Sequence, residues 1–196
     1  MERVRSASRG HRVQTKKDDE KMVRRAIVFL LGAAVAAQVC VSASDVIARF
    51  DGGIGVIPVA NGAGPVNADG TFPNAKLNIV RGVLPGAGPW RIGELKADVD
   101  VNGRIKVRGR GLLLASGNGI GSNANQSVFA TLICEAAAPF VQHNTDPTGV
   151  ALDANGDFRI DDFLDPLPST CPSPVLLIRN TGGVWFAAAI PAFGND

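Results

Sequence analysis

A short turn motif occurs three times in the chain and constrains its fold more than any other feature. It reads Asp or Asn, any residue, Asn or Asp, then Gly, and it spans residues 67–70, 100–103 and 153–156. Around the second copy, apolar residues at odd positions alternate with charged residues at even positions. Directly paired residues share a face of a sheet. Odd-numbered residues of the two strands therefore pair with each other only if the loop contains an odd number of residues. The motif therefore predicts a three-residue hairpin loop.

Glycine suits the last position of this loop. A type I turn followed by a left-handed residue in a bulge needs a conformation that glycine adopts without strain, and the turn glycines are Gly70, Gly103 and Gly156. Equal parity predicts that residues 150–152 pair with residues 158–160, and that residue 66 lies opposite residue 72. Three such hairpins indicate an antiparallel architecture.

The solvent face of the second hairpin carries charges. Asp98 is predicted opposite Lys106, which stabilises the hairpin slightly, and Lys96 opposite Arg108, which is a mild like-charge mismatch. Asp100 is predicted opposite Arg104.

Short apolar runs separated by Gly, Pro and Asn clusters recur after residue 45, and none sustains a helical period over three turns. We expect an all-β fold: one antiparallel β-sandwich over residues 45–196, Ig-like or jelly-roll-like, with about 8–10 strands. The predicted strands are residues 45–50, 54–59, 75–83, 91–101, 104–115, 127–134, 148–152, 158–163, 174–179 and 184–190.

Residues 22–44 have the composition of a secretory signal peptide. A basic pair, Arg24 and Arg25, precedes an apolar run over residues 26–37, and we expect cleavage after Ala43 or Ser44. The run is shorter than the ~20 residues that cross a bilayer, so we expect no transmembrane segment after cleavage.

The export route and the start of the chain leave alternatives. Val23 stands where a twin-arginine motif prefers Ser or Thr, so the general secretory route is favoured. Residues 1–21 are polar and are predicted to be disordered or to lie upstream of a true start at Met22.

Removal of the leader changes the charge of the chain. Residues 1–44 hold 9 of the 20 Lys and Arg and 4 of the 18 Asp and Glu, which leaves 11 cations against 14 anions and a net charge of −3. A mildly acidic domain lacks the basic footprint of a nucleic-acid-binding protein, so we expect no nucleic-acid partner.

Two cysteines remain after the leader, which carries Cys40. Cys134 and Cys171 are predicted to form a disulfide, because an even pair in an exported chain meets an oxidising compartment.

The acidic segment after the third turn motif is a candidate metal site. Ca²⁺ takes several oxygen ligands, and the candidates are Asp153, Asp157 and Asp161. An EF-hand would need Gly where Phe158 stands and Glu where Leu164 stands. A plain hairpin is therefore favoured, with a non-EF calcium site as the alternative.

Aromatic residues and the one histidine that follows the leader supply the other candidates. Trp185 and Trp90 are candidate ligand-binding residues, because an exposed indole can stack on a sugar ring or a partner protein. Core anchoring is favoured for Trp90, and Trp185 is the better candidate for exposure. His143 lies in a predicted loop, and any Ser–His–acid hydrolase would need it. We assign no catalytic residue.

Part of the C-terminal third, with Phe158 and Ile160, Cys171, and the segments at residues 174–179 and 183–188, resembles exported bacterial β-domain proteins of unassigned function. The resemblance implies a bacterial secreted β-domain and carries no catalytic motif.

These observations favour a secreted or envelope-associated domain, periplasmic or extracellular, that acts without catalysis by binding or structural association. We expect its partner to be an envelope component, a protein or a saccharide. One alternative is a carbohydrate-binding module assisted by Ca²⁺, the only cofactor that the sequence suggests. The other alternative is a hydrolase that uses His143.

Overall fold

β-strands account for all the regular structure that the computed structural model describes, which covers residues 45–61, 64–71 and 75–192. No helix occurs among these residues. The predicted leader, the N-terminal extension and residue 72 lie outside the described residues. The strands are β1 (Val46–Gly55), β2 (Val59–Asn61), β3 (Ala75–Leu77), β4 (Trp90–Arg91), β5 (Glu94–Asp100), β6 (Arg104–Arg110), β7 (Leu113–Leu114), β8 (Ser127–Ile133), β9 (His143–Asn144), β10 (Val150–Ala151), β11 (Phe158–Phe163), β12 (Val175–Asn180) and β13 (Trp185–Pro191).

Nine of these strands form one antiparallel sheet. Its order is β10-β8-β12-β13-β1-β5-β6-β11, and β9 also pairs with β8. The two ends of the sheet approach each other, because Asn144 in β9 exchanges two backbone hydrogen bonds of 2.9 and 2.8 Å with Asp165, just after β11. The nearly closed sheet fits a sandwich-like or barrel-like all-β fold, as predicted. Two small sheets, β2-β3 and β4-β7, complete the described strands.

The hairpin of β5 and β6 has the predicted register. Val99 lies opposite Ile105 and Ala97 opposite Val107, so the odd-numbered apolar residues share the inner face and are buried. The Gly103 N–H donates to the Asp100 carbonyl at 3.0 Å, and Gly103 has a φ of 77°. The three-residue loop is confirmed, and with it the alternation that places every even-numbered residue of β6 in solvent.

The third turn forms, but its strands separate. The Asp153 N–H donates to the Asp157 carbonyl at 2.9 Å, which closes the loop. Beyond the loop, β10 pairs with β8 and β11 pairs with β6, so the predicted pairing of residues 150–152 with residues 158–160 is wrong. Each strand pairs instead with a seven-residue strand of the main sheet, β10 with β8 and β11 with β6. The turn therefore joins the two end strands of the nearly closed sheet.

The disulfide between Cys134 and Cys171 is confirmed. Cys134 directly follows β8 and Cys171 precedes β12, and these two strands pair side by side. Closing a loop with a sequence separation of 37 stabilises a fold by roughly 3–4 kcal/mol in the chain-entropy model. Arg81 braces the same corner, because its guanidinium donates to the carbonyls of Ile133 and Ser173 at 2.9 and 2.6 Å.

Two predicted boundaries differ from the structure at glycines. The predicted strands 45–50 and 54–59 merge in part, because β1 runs to Gly55 through an irregularity between Phe50 and Gly53, where Gly52 has a φ of 99°. The predicted strand 104–115 ends early, because Gly111, with a φ of 68°, breaks it into β6 and β7.

Two turn glycines offer a matched test of this fold. An alanine held in the left-handed backbone conformation lowers the free energy of unfolding by ~1–2 kcal/mol relative to glycine. We expect only this loss for Gly70→Ala, because an added Cβ there meets no atom within 4 Å. At Gly156 the Cβ would lie 2.5 Å from the Leu112 carbonyl oxygen, and overpacking adds roughly 1–3 kcal/mol. Chemical denaturation should therefore give a larger loss of unfolding free energy for Gly156→Ala. Equal losses would contradict the packing of this turn against Leu112.

Candidate functional site

The outer surface of β1, β5, β6 and β11 collects most of the positive charge of the domain. Alternation along β6 directs four basic side chains to solvent, and the adjoining strands add three more on the same surface. We call this surface the cationic face. Its basic residues, all exposed, are Arg49, Lys96, Arg104, Lys106, Arg108, Arg110 and Arg159. Seven of the 11 cations after the leader thus lie on one side of the sheet.

Four ion pairs tie part of this face together. Asp98 accepts from Arg49 Nε at 2.9 Å and Asp51 lies 3.3 Å from Lys96 Nζ. The sequence placed Asp98 opposite Lys106 of β6, but its ion pair is with Arg49 of β1. Arg110 lies 3.3 Å from Glu94. The fourth pair joins Arg104 to Asp161 on β11.

The Arg104–Asp161 pair has the best geometry of the four. Nε and an Nη of Arg104 donate to the two carboxylate oxygens of Asp161 at 2.9 and 3.1 Å, which is the forked arrangement that arginine favours. These hydrogen bonds hold the pKa of Asp161 below its ordinary value and raise the pKa of Arg104. Because both side chains are about half exposed, water screens the pair.

Arg108 and Arg159 are two cations of the face that form no salt bridge with a carboxylate of the described residues. They are direct partners across β6 and β11, and Lys96 is the direct partner of Arg108 on the other side. Directly opposite Cβ atoms in an antiparallel pair lie only about 4.5–5.5 Å apart, so like charges there destabilise the sheet. Within the described part of the chain, no carboxylate lies within 4 Å of either guanidinium. A bound anion would relieve this repulsion.

A groove of about 290 Å³ opens beside this pair of arginines. We call it the turn groove, because the third turn forms one of its walls. Its polar lining consists of Arg108, Arg110, Arg159, Asp153 and Asp157. Asp157 is held in place, since its Oδ1 accepts from the Gly111 N–H at 3.0 Å. The groove therefore combines guanidinium donors with two carboxylate acceptors, of which that of Asp157 is held by a hydrogen bond.

The remaining four cations of the domain lie outside the cationic face, and two of them make structural hydrogen bonds. Arg81 braces the disulfide corner, as described above. Arg179 is half-buried, its pKa is lowered by burial, and it donates to Gly183 O and Gln142 Oε1 at 2.8 and 2.7 Å. Lys76 lies on β3 and Arg91 on β4, which belong to the two small sheets, and the guanidinium of Arg91 lies near Gly111 at the end of β6.

The three predicted metal ligands do not come together as one group, although Asp153 and Asp157 line the same groove. Asp161 is engaged by Arg104 and Asp157 by the Gly111 N–H, while Asp153 is exposed in the turn groove. No three His, Cys, Asp or Glu side chains among the described residues form a group that could hold a metal ion. The geometry lends the calcium hypothesis no support, and calcium binding stays a sequence prediction.

Both tryptophans lie in the core. Trp185 is 2% exposed, and its Nε1–H donates to the Asn78 carbonyl at 3.1 Å, so the prediction that it is exposed is wrong. Trp90 is buried and stacks on Phe186 with ring centroids 4.0 Å apart, which agrees with core anchoring. The stack places large aromatic surfaces where they are fully removed from water. Neither ring offers a platform to a ligand.

His143 is also buried, although the sequence predicted a solvated loop. It lies in β9 and pairs with Leu132 of β8, and its Nδ1 lies 2.6 Å from the Pro166 carbonyl oxygen. That contact and the strand pairing explain the position of His143 structurally. The hydrolase hypothesis gains no support from this environment.

A second exposed surface consists of aliphatic side chains. Val59 and Leu77 are direct partners in the small sheet of β2 and β3, and both are at least half exposed. Ile57 and Ile79, one step further along the same alternation, are exposed as well. We call these four residues the aliphatic ribbon. It gives the protein-partner hypothesis a location on the molecule.

Comparisons with known proteins found no protein-family model, no curated protein and no solved structure that matches the chain. The candidate site therefore depends on its own geometry.

Part of the cationic face could be predicted from the sequence. Alternation around the second turn motif predicted that Lys96, Lys106 and Arg108 lie on one surface, and the structure confirms this. Arg159 was missed, because it belongs to a strand 50 residues away whose pairing with β6 is not local. A search for basic residues at alternate positions of every predicted strand would have found the candidates, but not their adjacency.

The Arg104–Asp161 pair predicts a pH dependence of stability. A carboxyl whose pKa is lower in the folded state stabilises the fold above its unfolded pKa, about 3.9, and this contribution is lost as pH falls through the lowered value. Chemical denaturation at a series of pH values between 6 and 2 should therefore show that the free energy of unfolding falls less with acid for Asp161→Asn than for the unchanged protein. Arg104→Gln should have the same effect. Two unchanged acid profiles would contradict the role of this pair.

Proposed function

We propose that this chain is a noncatalytic binding domain whose cationic face takes up an anionic polymer outside the cytoplasm. The observation that carries the proposal is the direct opposition of Arg108 and Arg159 on an exposed surface, with no carboxylate of the described residues in salt-bridge distance. Such a pair is costly when empty and favourable when it holds an anion. The proposal follows the sequence-based hypothesis of a binding domain and adds the charge of its ligand.

The distribution of charge supports this proposal. The domain has a net charge of −3, yet the four strands of the cationic face direct seven cations outward against five carboxylates, namely Asp51, Glu94, Asp98, Asp100 and Asp161. Three further carboxylates, those of Asp45, Asp153 and Asp157, lie at the ends of the face, outside its strands. A positive surface on an acidic domain attracts polyanions to one side and repels them from the rest, which orients the encounter. An extended polymer suits an open sheet surface, because it can contact charges on several adjacent strands.

Export is part of the same proposal. The disulfide between Cys134 and Cys171 suits an oxidising compartment, and the predicted signal peptide precedes the described residues. Among the described residues no helix is long and apolar enough to cross a membrane. Polymers that carry carboxylate, phosphate or sulfate groups are common ligands in such a compartment, and an envelope polysaccharide is the partner that we favour.

Binding to two immobilised polyanions, heparin and polygalacturonate, tests the proposal. The double variant Arg108→Ser/Arg159→Ser should bind about tenfold more weakly to at least one of them, because two exposed charge contacts contribute roughly 0.2–1 kcal/mol each and 1.4 kcal/mol is a factor of ten. Added salt should weaken the binding of the unchanged protein, since exposed charges are screened.

Lys76→Ser serves as the control, because it removes a cation outside the cationic face and should leave binding nearly unchanged. Thermal unfolding of each variant checks that the fold is intact. Equal weakening in the control and the double variant would contradict the assignment to this face. Failure of the unchanged protein to bind either polymer would contradict the function and favour a protein partner at the aliphatic ribbon.

A further inference from the structure

The turn groove has a mixed polar lining that a general polyanion surface would not need. Three guanidinium groups would suffice to hold sulfate or phosphate, yet the carboxylates of Asp153 and Asp157 share the same groove. Carboxylates only accept hydrogen bonds when they are ionised, and they repel a second anionic group. A ligand that satisfies the whole lining therefore combines one anionic group with several hydroxyl donors.

We propose that the turn groove binds the carboxylate-bearing sugar, a hexuronic acid residue, of an acidic polysaccharide. This inference rests on the proposed function and names the ligand chemistry of the same surface. Arg108 and Arg159 hold the sugar carboxylate, since a planar guanidinium matches a carboxylate with two parallel hydrogen bonds. Arg110 is already engaged by Glu94 and stands at the edge of the groove.

The two aspartates read the hydroxyl groups of the sugar. Asp157 is oriented by the Gly111 N–H at its Oδ1, which leaves Oδ2 as an acceptor. Asp153 stands at the entrance of the third turn, and its side chain is exposed. A ring hydroxyl that donates to either carboxylate gains a charge-assisted hydrogen bond. A polymer with sulfate groups at the same positions meets repulsion there, so the aspartates select for uronic acid with free hydroxyls over densely sulfated sugar, which includes the sulfated uronic acid of heparin.

The size and the wall of the groove agree with one sugar ring. Its volume of about 290 Å³ lies just below the range of small-molecule sites, about 300–1,000 Å³. The side chain of Val150 adds an apolar contact on the side of β10. Because Arg108 lies in the groove and is also the direct partner of Lys96 on the cationic face, neighbouring residues of the polymer continue over Lys106 and Lys96.

A titration with three oligosaccharides tests the inference. The probes are an oligogalacturonate, its methyl ester, which has lost the negative charge, and a heparin-derived oligosaccharide of similar length. The unchanged protein should bind the oligogalacturonate at least tenfold more tightly than the ester. Asp153→Ala should weaken oligogalacturonate binding about fivefold and leave heparin-oligosaccharide binding unchanged or tighter, because it removes both a hydroxyl acceptor and a repulsive charge.

Asp45→Ala is the matched control. It removes one negative charge at the other end of the face, next to the turn of β5 and β6, where the Asp45 carbonyl accepts from the Val101 N–H. It should leave the preference for oligogalacturonate unchanged, and thermal unfolding checks both variants for folding. Binding of the ester as tight as that of the acid, or identical effects of Asp153→Ala and Asp45→Ala, would overturn the uronic acid assignment.

The outcomes separate this inference from the proposed function. One outcome is that the double variant Arg108→Ser/Arg159→Ser weakens binding of the heparin oligosaccharide while Asp153→Ala does not change the affinity for oligogalacturonate. That outcome would support the anionic-polymer function and contradict the uronic acid assignment. If no anionic oligosaccharide binds, both fall together.

Discussion

The register between β5 and β6 is the constraint on which the other features of this domain depend. The loop of Val101, Asn102 and Gly103 contains three residues, so odd positions meet odd positions across the hairpin. A loop shorter by one residue would pair odd with even, and the apolar and charged sets could not both keep their faces. The same register places Arg108 beside Lys96 and presents the outer edge of β6 to β11, which brings Arg159 to Arg108. The core and the candidate binding surface therefore have one common origin.

The nearly closed sheet fixes the position of the turn groove. The third turn joins β10, which pairs with β8, to β11, which pairs with β6, so it spans the place where the two ends of the sheet meet. At this junction the ladder between β10 and β11 is missing, and the gap becomes the groove. The glycine of the turn packs against the backbone of Leu112, which leaves Asp153 and Asp157 at the wall of the groove. Arg108 and Arg159, which repel each other, line the other wall of the groove. This arrangement destabilises the fold slightly, so we infer that it serves binding.

Local patterns in the sequence predicted the local features of this fold. Alternation predicted β5, β6 and their pairing, and cysteine arithmetic predicted the disulfide, because each depends on few residues or on a single covalent bond. Exposure was predicted less well. Trp185 was expected in solvent, and it is buried because Pro85 and Asn78, about 100 residues earlier, cover it. His143 was assigned to a loop, because a two-residue strand carries no periodic signal. The cationic face required the non-local pairing of β6 with β11, which no local pattern contains.

The most direct measurement of the central claim, that the cationic face is the binding surface, is a map of the residues that an anionic ligand perturbs. We would titrate the isotope-labelled protein with oligogalacturonate and follow backbone amide and arginine side-chain resonances by NMR. The account predicts that the largest shifts lie on β6, on β11 and around Asp153, with those of Arg108 and Arg159 foremost. Shifts confined to the aliphatic ribbon of β2 and β3, or spread evenly over the surface, would contradict it.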